Sequence, residues 1–214
     1  MHRLPAGTGP QFATASRRTQ SWWLVGGALL LAAAFVVAPA SLAGGDYGSG
    51  FLGGSGLPDA VRDNFVQYWR SGDGRLSAGM NNLSDYWLRY HVVKAVIAAL
   101  LVAVLSVLTV RLWKRFINAE TATGSRRLLG IGSAAAGVTA MAGVVLVMAN
   151  IQGAVAPFSS LLSMLSTTGH DAALEQTTGQ VASDLRAGTG SPALDGMVHN
   201  FAIYHATLAG TAVA

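Results

Sequence analysis

Trp87-Leu-Arg-Tyr90-His91-Val-Val-Lys94-Ala-Val-Ile-Ala-Ala-Leu-Leu-Val-Ala-Val-Leu-Ser-Val-Leu-Thr-Val-Arg111-Leu-Trp113 decides the fold class. From Val92 to Trp113 the run is 22 residues long, and its charges are Lys94 near one end and Arg111 near the other. A helix rising about 1.5 Å per residue needs about 20 apolar residues to cross a hydrocarbon core of about 30 Å. Lys94 lies close enough to the boundary for its stem to snorkel to headgroups. Tyr86, Trp87 and Tyr90 at one end and Trp113 at the other form the aromatic belts of a membrane helix.

Two further runs repeat this pattern. Trp22–Ala43 opens on two tryptophans and carries no charge, and Leu128–Ala149 is likewise uncharged. Over all 214 residues the chain is 51% hydrophobic and 11% charged, with a mean hydropathy of +0.43. A soluble domain carries about 25% charged residues, and disordered chains are poor in hydrophobics, so both classes are excluded. With no Cys there is no disulfide framework or thiol chemistry.

The net charge of +4 reads as topology once the charges are located. Arg3, Arg17 and Arg18 precede the first run with no acid among them. Arg111, Lys114, Arg115, Arg126 and Arg127 face Glu120 alone in the segment between the second and third runs. By contrast, residues 44–90 hold four Arg against five Asp, and residues 157–200 hold one Arg against four acids. The positive-inside rule puts both basic segments in the cytoplasm. The first run also fits a secretory signal, with Arg17-Arg18 before it and Ala38-Pro39-Ala40 and Ser41-Leu42-Ala43 as small-residue cleavage sites. Gln20 and Ser21 depart from a twin-arginine motif. The long apolar core favours a retained anchor. In either case the N-terminus is cytoplasmic.

The expected fold is all-α, an integral membrane four-helix bundle of two helical hairpins in the cell membrane. It comprises a cytoplasmic tail (1–21), a first span (22–43), an outer loop (44–91), a second span (92–113), an inner loop (114–127), a third span (128–149), a second outer loop (150–196) and a fourth span (197–214). The outer loops carry amphipathic stripes. After Pro58, residues Val61, Phe65, Tyr68 and Trp69 share one face of a helix near 58–70, and Phe158, Leu161, Leu162 and Leu165 form a second stripe. Leu174, Val181 and Leu185 form a looser third. Such faces pack on the protein's own helix ends, lie on the membrane surface or bind a partner. In the third span Gly132, Ala136, Gly137, Ala140 and Gly143 make a small-residue face for close helix packing, within the chain or in a homodimer.

An internal repeat is visible at an offset of 114. Trp87-Leu-Arg-Tyr90-His91-Val-Val-Lys-Ala95 aligns with Phe201-Ala-Ile-Tyr204-His205-Ala-Thr-Leu-Ala209, and Ala98 with Ala212. Each copy stands where an outer loop enters a helix returning to the cytoplasm. Only nine residues follow His205, about 13 Å of helix, so the fourth span is expected either to start deeper, from Met197, and end bare or, the favoured reading, to break off where the chain stops. Two equivalent histidines admit an alternative reading, a haem b or metal site held by His91 and His205, with His170 and His199 near the same rim. Against it stands the bland reading of Tyr-His as interfacial belt residues. Walker loops, dinucleotide fingerprints, HExxH and nucleophile elbows are absent, and no aromatic-interleaved basic patch supports nucleic-acid binding. The reading is therefore non-enzymatic, with no cofactor: an envelope subunit or scaffold whose partners are the bilayer and a homo-oligomer or another membrane protein.

The stretch Trp87 to Ala95, the run Met148-Ala-Asn150-Ile-Gln152-Gly-Ala-Val-Ala-Pro157-Phe158, and the closing Tyr204-His205 resemble uncharacterised multi-pass membrane proteins of actinobacteria. Those proteins are often labelled only by a twin-arginine-like signal, which Arg17-Arg18 would trigger. The resemblance implies the multi-pass architecture and brings no activity or functional residues.

Overall fold

The computed structural model describes residues 11–44, 56–119, 123–167 and 171–213; Arg3, Asp46 and His170 lie outside them. Every element among the described residues is helical. In chain order they are α1 (Gln11–Ala43), α2 (Gly56–Ser71), α3 (Ala78–Ile117), α4 (Thr123–Val155), α5 (Pro157–Leu162) with a 3-10 turn over Ser163–Thr167, α6 (Ala172–Ala187) and α7 (Pro192–Val213).

The helix ends follow local chemistry. Gly44, Gly72 and Gly188 adopt the left-handed conformation just past α1, α2 and α6, where a side chain would be strained. Ser77, Asp171 and Ser191 accept hydrogen bonds from the backbone N–H groups of Met80, Leu174 and Leu194, capping α3, α6 and α7. Pro157 and Pro192 occupy first-turn positions, where the missing N–H costs nothing.

Among the described residues three helices are long and apolar enough to cross a membrane: Trp22–Ala43, Ala78–Ile117 and Gly124–Val155, with mean hydropathies of 2.1, 2.6 and 2.0. The fourth expected span coincides with most of α7, which is helical but not among these three. Asp195, His199, Asn200 and the Tyr204-His205 pair dilute its apolar residues. A second difference concerns α3. The expected outer loop ran to His91, whereas the helix already begins at Ala78. Ser77 caps it there, and Met80, Leu83, Tyr86, Trp87 and Tyr90 supply a buried stripe that carries the helix through a polar stretch.

The chain divides into two compact units. The first takes α1 up to Ala33 together with Ala98–Val144. Here α3 and α4 run antiparallel, as the contacts show. A methyl group at Gly130 would meet the Phe116 ring, one at Gly132 would meet Leu112, one at Gly137 Thr109, and one at Gly143 Val102. As one residue number rises the other falls. The Ser133 hydroxyl donates to the Thr109 carbonyl at 3.2 Å, which requires this close approach. Ala28, Leu105 and Ala140 form a small buried cluster. Trp22, Trp23, Ile131, Val138 and Met141 are exposed, an apolar surface suited to lipid.

The second unit takes Ala34–Ile97 and Val145–Ala214. Its core gathers Val61, Phe65, Tyr68 and Trp69 of α2 with Met80, Leu83, Tyr86, Trp87 and Tyr90 of α3. Phe158 and Leu161 of α5, Leu174 of α6, and Ala193 and Leu194 of α7 complete it. Burying each large side chain contributes about 1.5–3 kcal/mol before entropy. Polar tips are tied across elements. The Tyr68 hydroxyl donates to the Ala193 carbonyl at 2.7 Å, the Trp69 indole to Gln180 at 3.1 Å, and the Trp87 indole to Ser160 at 3.0 Å. Tyr68 also meets Phe158 edge-on, with ring centroids 5.3 Å apart. At the unit's rim Arg62 pairs with Asp59 and Asp63 and lies 3.8 Å from Asp171, drawing the start of α6 toward α2.

Candidate functional site

The residues singled out in the sequence fall into three settings. Val61, Phe65, Tyr68, Trp69, Phe158 and Leu161 lie buried in the second unit's core, with Leu162 and Leu165 packed against it at its edge. Gly132, Ala136, Gly137, Ala140 and Gly143 lie on α4 in the first unit, where the glycines face α3 and the two alanines are buried. The Tyr-His pairs lie in the second unit and form the third setting.

His91 and His205 have the same local geometry. Each Nδ1 lies 2.9 Å from a backbone carbonyl one turn back, that of Trp87 for His91 and of Phe201 for His205. A carbonyl only accepts, so each Nδ1 donates there, which in a neutral ring leaves Nε2 as the acceptor. Each imidazole meets the preceding tyrosine edge-on, at 5.5 Å and about 70° in both copies. Each also lies beside the aromatic four residues earlier, Trp87 at 4.6 Å and Phe201 at 4.1 Å.

Their surroundings differ. The His91 ring, Nε2 included, rests on α4 where Gly153 has no side chain, so close that a methyl group there would overlap it. The Nε2 edge of the ring is thereby packed against another helix. His205 is exposed and lines a groove with Tyr204 on one wall. Between the two sits Gln152, whose amide donates to the Tyr204 carbonyl at 3.0 Å. The Gln152-Gly153 step of α4 thus touches both Tyr-His pairs, one by packing and one by a hydrogen bond. Among the described residues no cluster of three or more His, Asp or Glu side chains gathers for a metal ion, and His199 is exposed.

Lys94 also has aromatic partners within the chain. Its ammonium lies over the Phe35 ring of α1 at 4.4 Å and over the Tyr90 ring at 5.3 Å. This cation–π arrangement contributes about 0.5–2 kcal/mol, most where water is excluded. Its charge is therefore held by aromatic faces of the protein.

The groove was not visible in the sequence. It encloses about 580 Å³ between α5 with its 3-10 turn, α6 and α7. Leu162, Leu185, Met197 and Phe201 give it an apolar lining, and Ser159 and His205 supply polar groups. That volume lies within the range that takes a drug-sized molecule, and such sites are usually apolar with a few placed polar groups. The Ser159 Oγ is buried and has no hydrogen-bond partner, which costs about 1–3 kcal/mol unless something satisfies it. Nothing in the local sequence marks Ser159: its place depends on residues from Leu185 and Phe201, brought in by α6 and α7. No family model, curated protein or solved structure matches the chain.

Proposed function

We propose that this chain is a non-enzymatic multi-pass membrane protein of the cell envelope that acts as a subunit or scaffold through α2, α5 and α6 of its second unit, held on the outer face. The observation that carries the reading is the tied aromatic core of that unit. Tyr68, Trp69 and Trp87 each spend a polar tip on another element, in a chain whose described residues also include three apolar helices fit to span. Such a core makes a rigid platform of segments too polar to be lipid-embedded. The basic residues of 1–21 and 111–127 support a cytoplasmic N-terminus and inner loop.

In this reading α7 is the fourth crossing and closes a second hairpin with α4. Its Thr207 and Thr211 hydroxyls donate to carbonyls one turn back, which lowers their cost in an apolar surrounding. The amphipathic faces first considered for a partner are spent on the unit's own core, so partner contacts fall to what remains exposed, notably Val198, Phe201 and Leu208 of α7.

Because the chain lacks Cys, single-cysteine labelling tests the topology directly. In intact cells a membrane-impermeant maleimide should label Gln176→Cys and reach Asn118→Cys only after lysis; the reverse pattern overturns the orientation. Reciprocal co-purification from gently solubilised membranes should recover a defined partner or a self-oligomer. A solitary monomer overturns the subunit reading.

A further inference from the structure

We propose that the groove between α5, α6 and α7 holds one neutral lipid alcohol from the bilayer, its hydroxyl bound by Ser159 and His205 and its chain by the apolar lining. This rests on the membrane reading above and adds the ligand's chemistry.

The lining sets the class. Leu162, Leu185, Met197 and Phe201 offer hydrocarbon contact, and no Lys, Arg, Asp or Glu among the described residues lines the groove. An anionic or cationic headgroup would be desolvated there without a counter-charge, at a cost of several kcal/mol. A neutral hydroxyl needs only one donor and one acceptor. Ser159 has an unspent hydroxyl, and a neutral His205 whose Nδ1–H donates to the Phe201 carbonyl offers its Nε2 as an acceptor. With Ser159 turned about χ1 so that its buried Oγ enters the groove, the ligand hydroxyl would accept from it and donate to His205. His91 carries the same tautomer but rests on Gly153, so only the second copy of the pair is open to a ligand.

The test uses the full-length chain in phosphatidylcholine nanodiscs and a diazirine-bearing hexadecanol, with the matching hexadecanoic acid and hexadecyl phosphate as controls. The alcohol should label saturably, at peptides carrying Leu162 or Phe201, and at least fivefold more than the two anionic probes at neutral pH. Ser159→Ala removes a hydroxyl that is unpartnered in the empty protein, so the thermal midpoint without ligand should hold or rise while labelling falls about five- to tenfold. Met197→Trp, which fills the groove, should abolish it. Unsaturable labelling, equal labelling by the acid, or labelling unchanged in Ser159→Ala overturns the proposal. The expected maleimide pattern without alcohol uptake overturns the groove alone; uptake with the reversed pattern overturns the topology alone.

Discussion

The imidazole of His91 lies on the one position of the facing α4 surface, Gly153, that offers it no side chain. Adding a methyl group there forces the ring, and with it the Trp87 and Tyr90 aromatics it abuts, to move. Overpacking of this kind costs about 1–3 kcal/mol. Gly153→Ala should therefore lower the thermal midpoint of the protein in mild detergent. His91→Ala removes the obstacle, so the loss from Gly153→Ala should shrink by at least half in that background. Equal losses in both backgrounds would show that the contact does not govern the pairing of α3 with α4 in the second unit.

The small-residue face of α4 makes a separate prediction. Gly143 faces Val102 and Gly137 faces Thr109, so the face is used inside the chain. Gly143→Leu should destabilise the monomer by about 1–3 kcal/mol through overpacking and leave the oligomeric size unchanged. Multi-angle scattering of the detergent-solubilised protein separates the two effects. A change in oligomer size with no loss of stability would reassign the face to a homodimer.

What the sequence made legible, and what it did not, follows from the range of each signal. The three apolar runs and the Val61, Phe65, Tyr68, Trp69 stripe are local patterns, and each lies on a helix close to where periodicity put it. The start of α3 was missed because Asn81, Asn82, Ser84 and Asp85 lower the hydropathy just where Met80, Leu83, Tyr86 and Trp87 continue the buried face. Ser77 as a cap was the available clue. His205 was singled out by its repeat with His91, yet the repeat could not show that Gly153 closes one copy while the other lines a groove. Ser159 had no local mark at all, since its surroundings are made by segments distant in the chain.

Lys94 offers a test of aromatic stabilisation near the end of a span. Its ammonium over Phe35 ties α1 to α3 within the second unit. Phe35→Leu keeps the apolar volume but removes the ring face, and should cost about 0.5–2 kcal/mol. The same substitution in a Lys94→Met background should cost clearly less. A double-mutant cycle by thermal unfolding reads the coupling, and a coupling near zero would show that the ring serves only as hydrocarbon.

Tyr68 links stability to alkaline pH. Its hydroxyl donates to the Ala193 carbonyl, and burial, with a smaller contribution from the Asp73 charge, raises its pKa above the ordinary tyrosine value. A group whose folded pKa is raised contributes stability that is complete below its unfolded pKa, about 10, and is lost as pH climbs through the folded value. Tyr68→Phe should cost about 0.5–1.5 kcal/mol at neutral pH by removing one net hydrogen bond. As pH rises above about 10 the native protein should lose stability faster than the variant, so the two melting curves converge. The ultraviolet titration of phenolate in the folded variant should also lack one late-ionising tyrosine. Parallel curves over that range would mean that the Tyr68 proton is not what fastens α2 to α7.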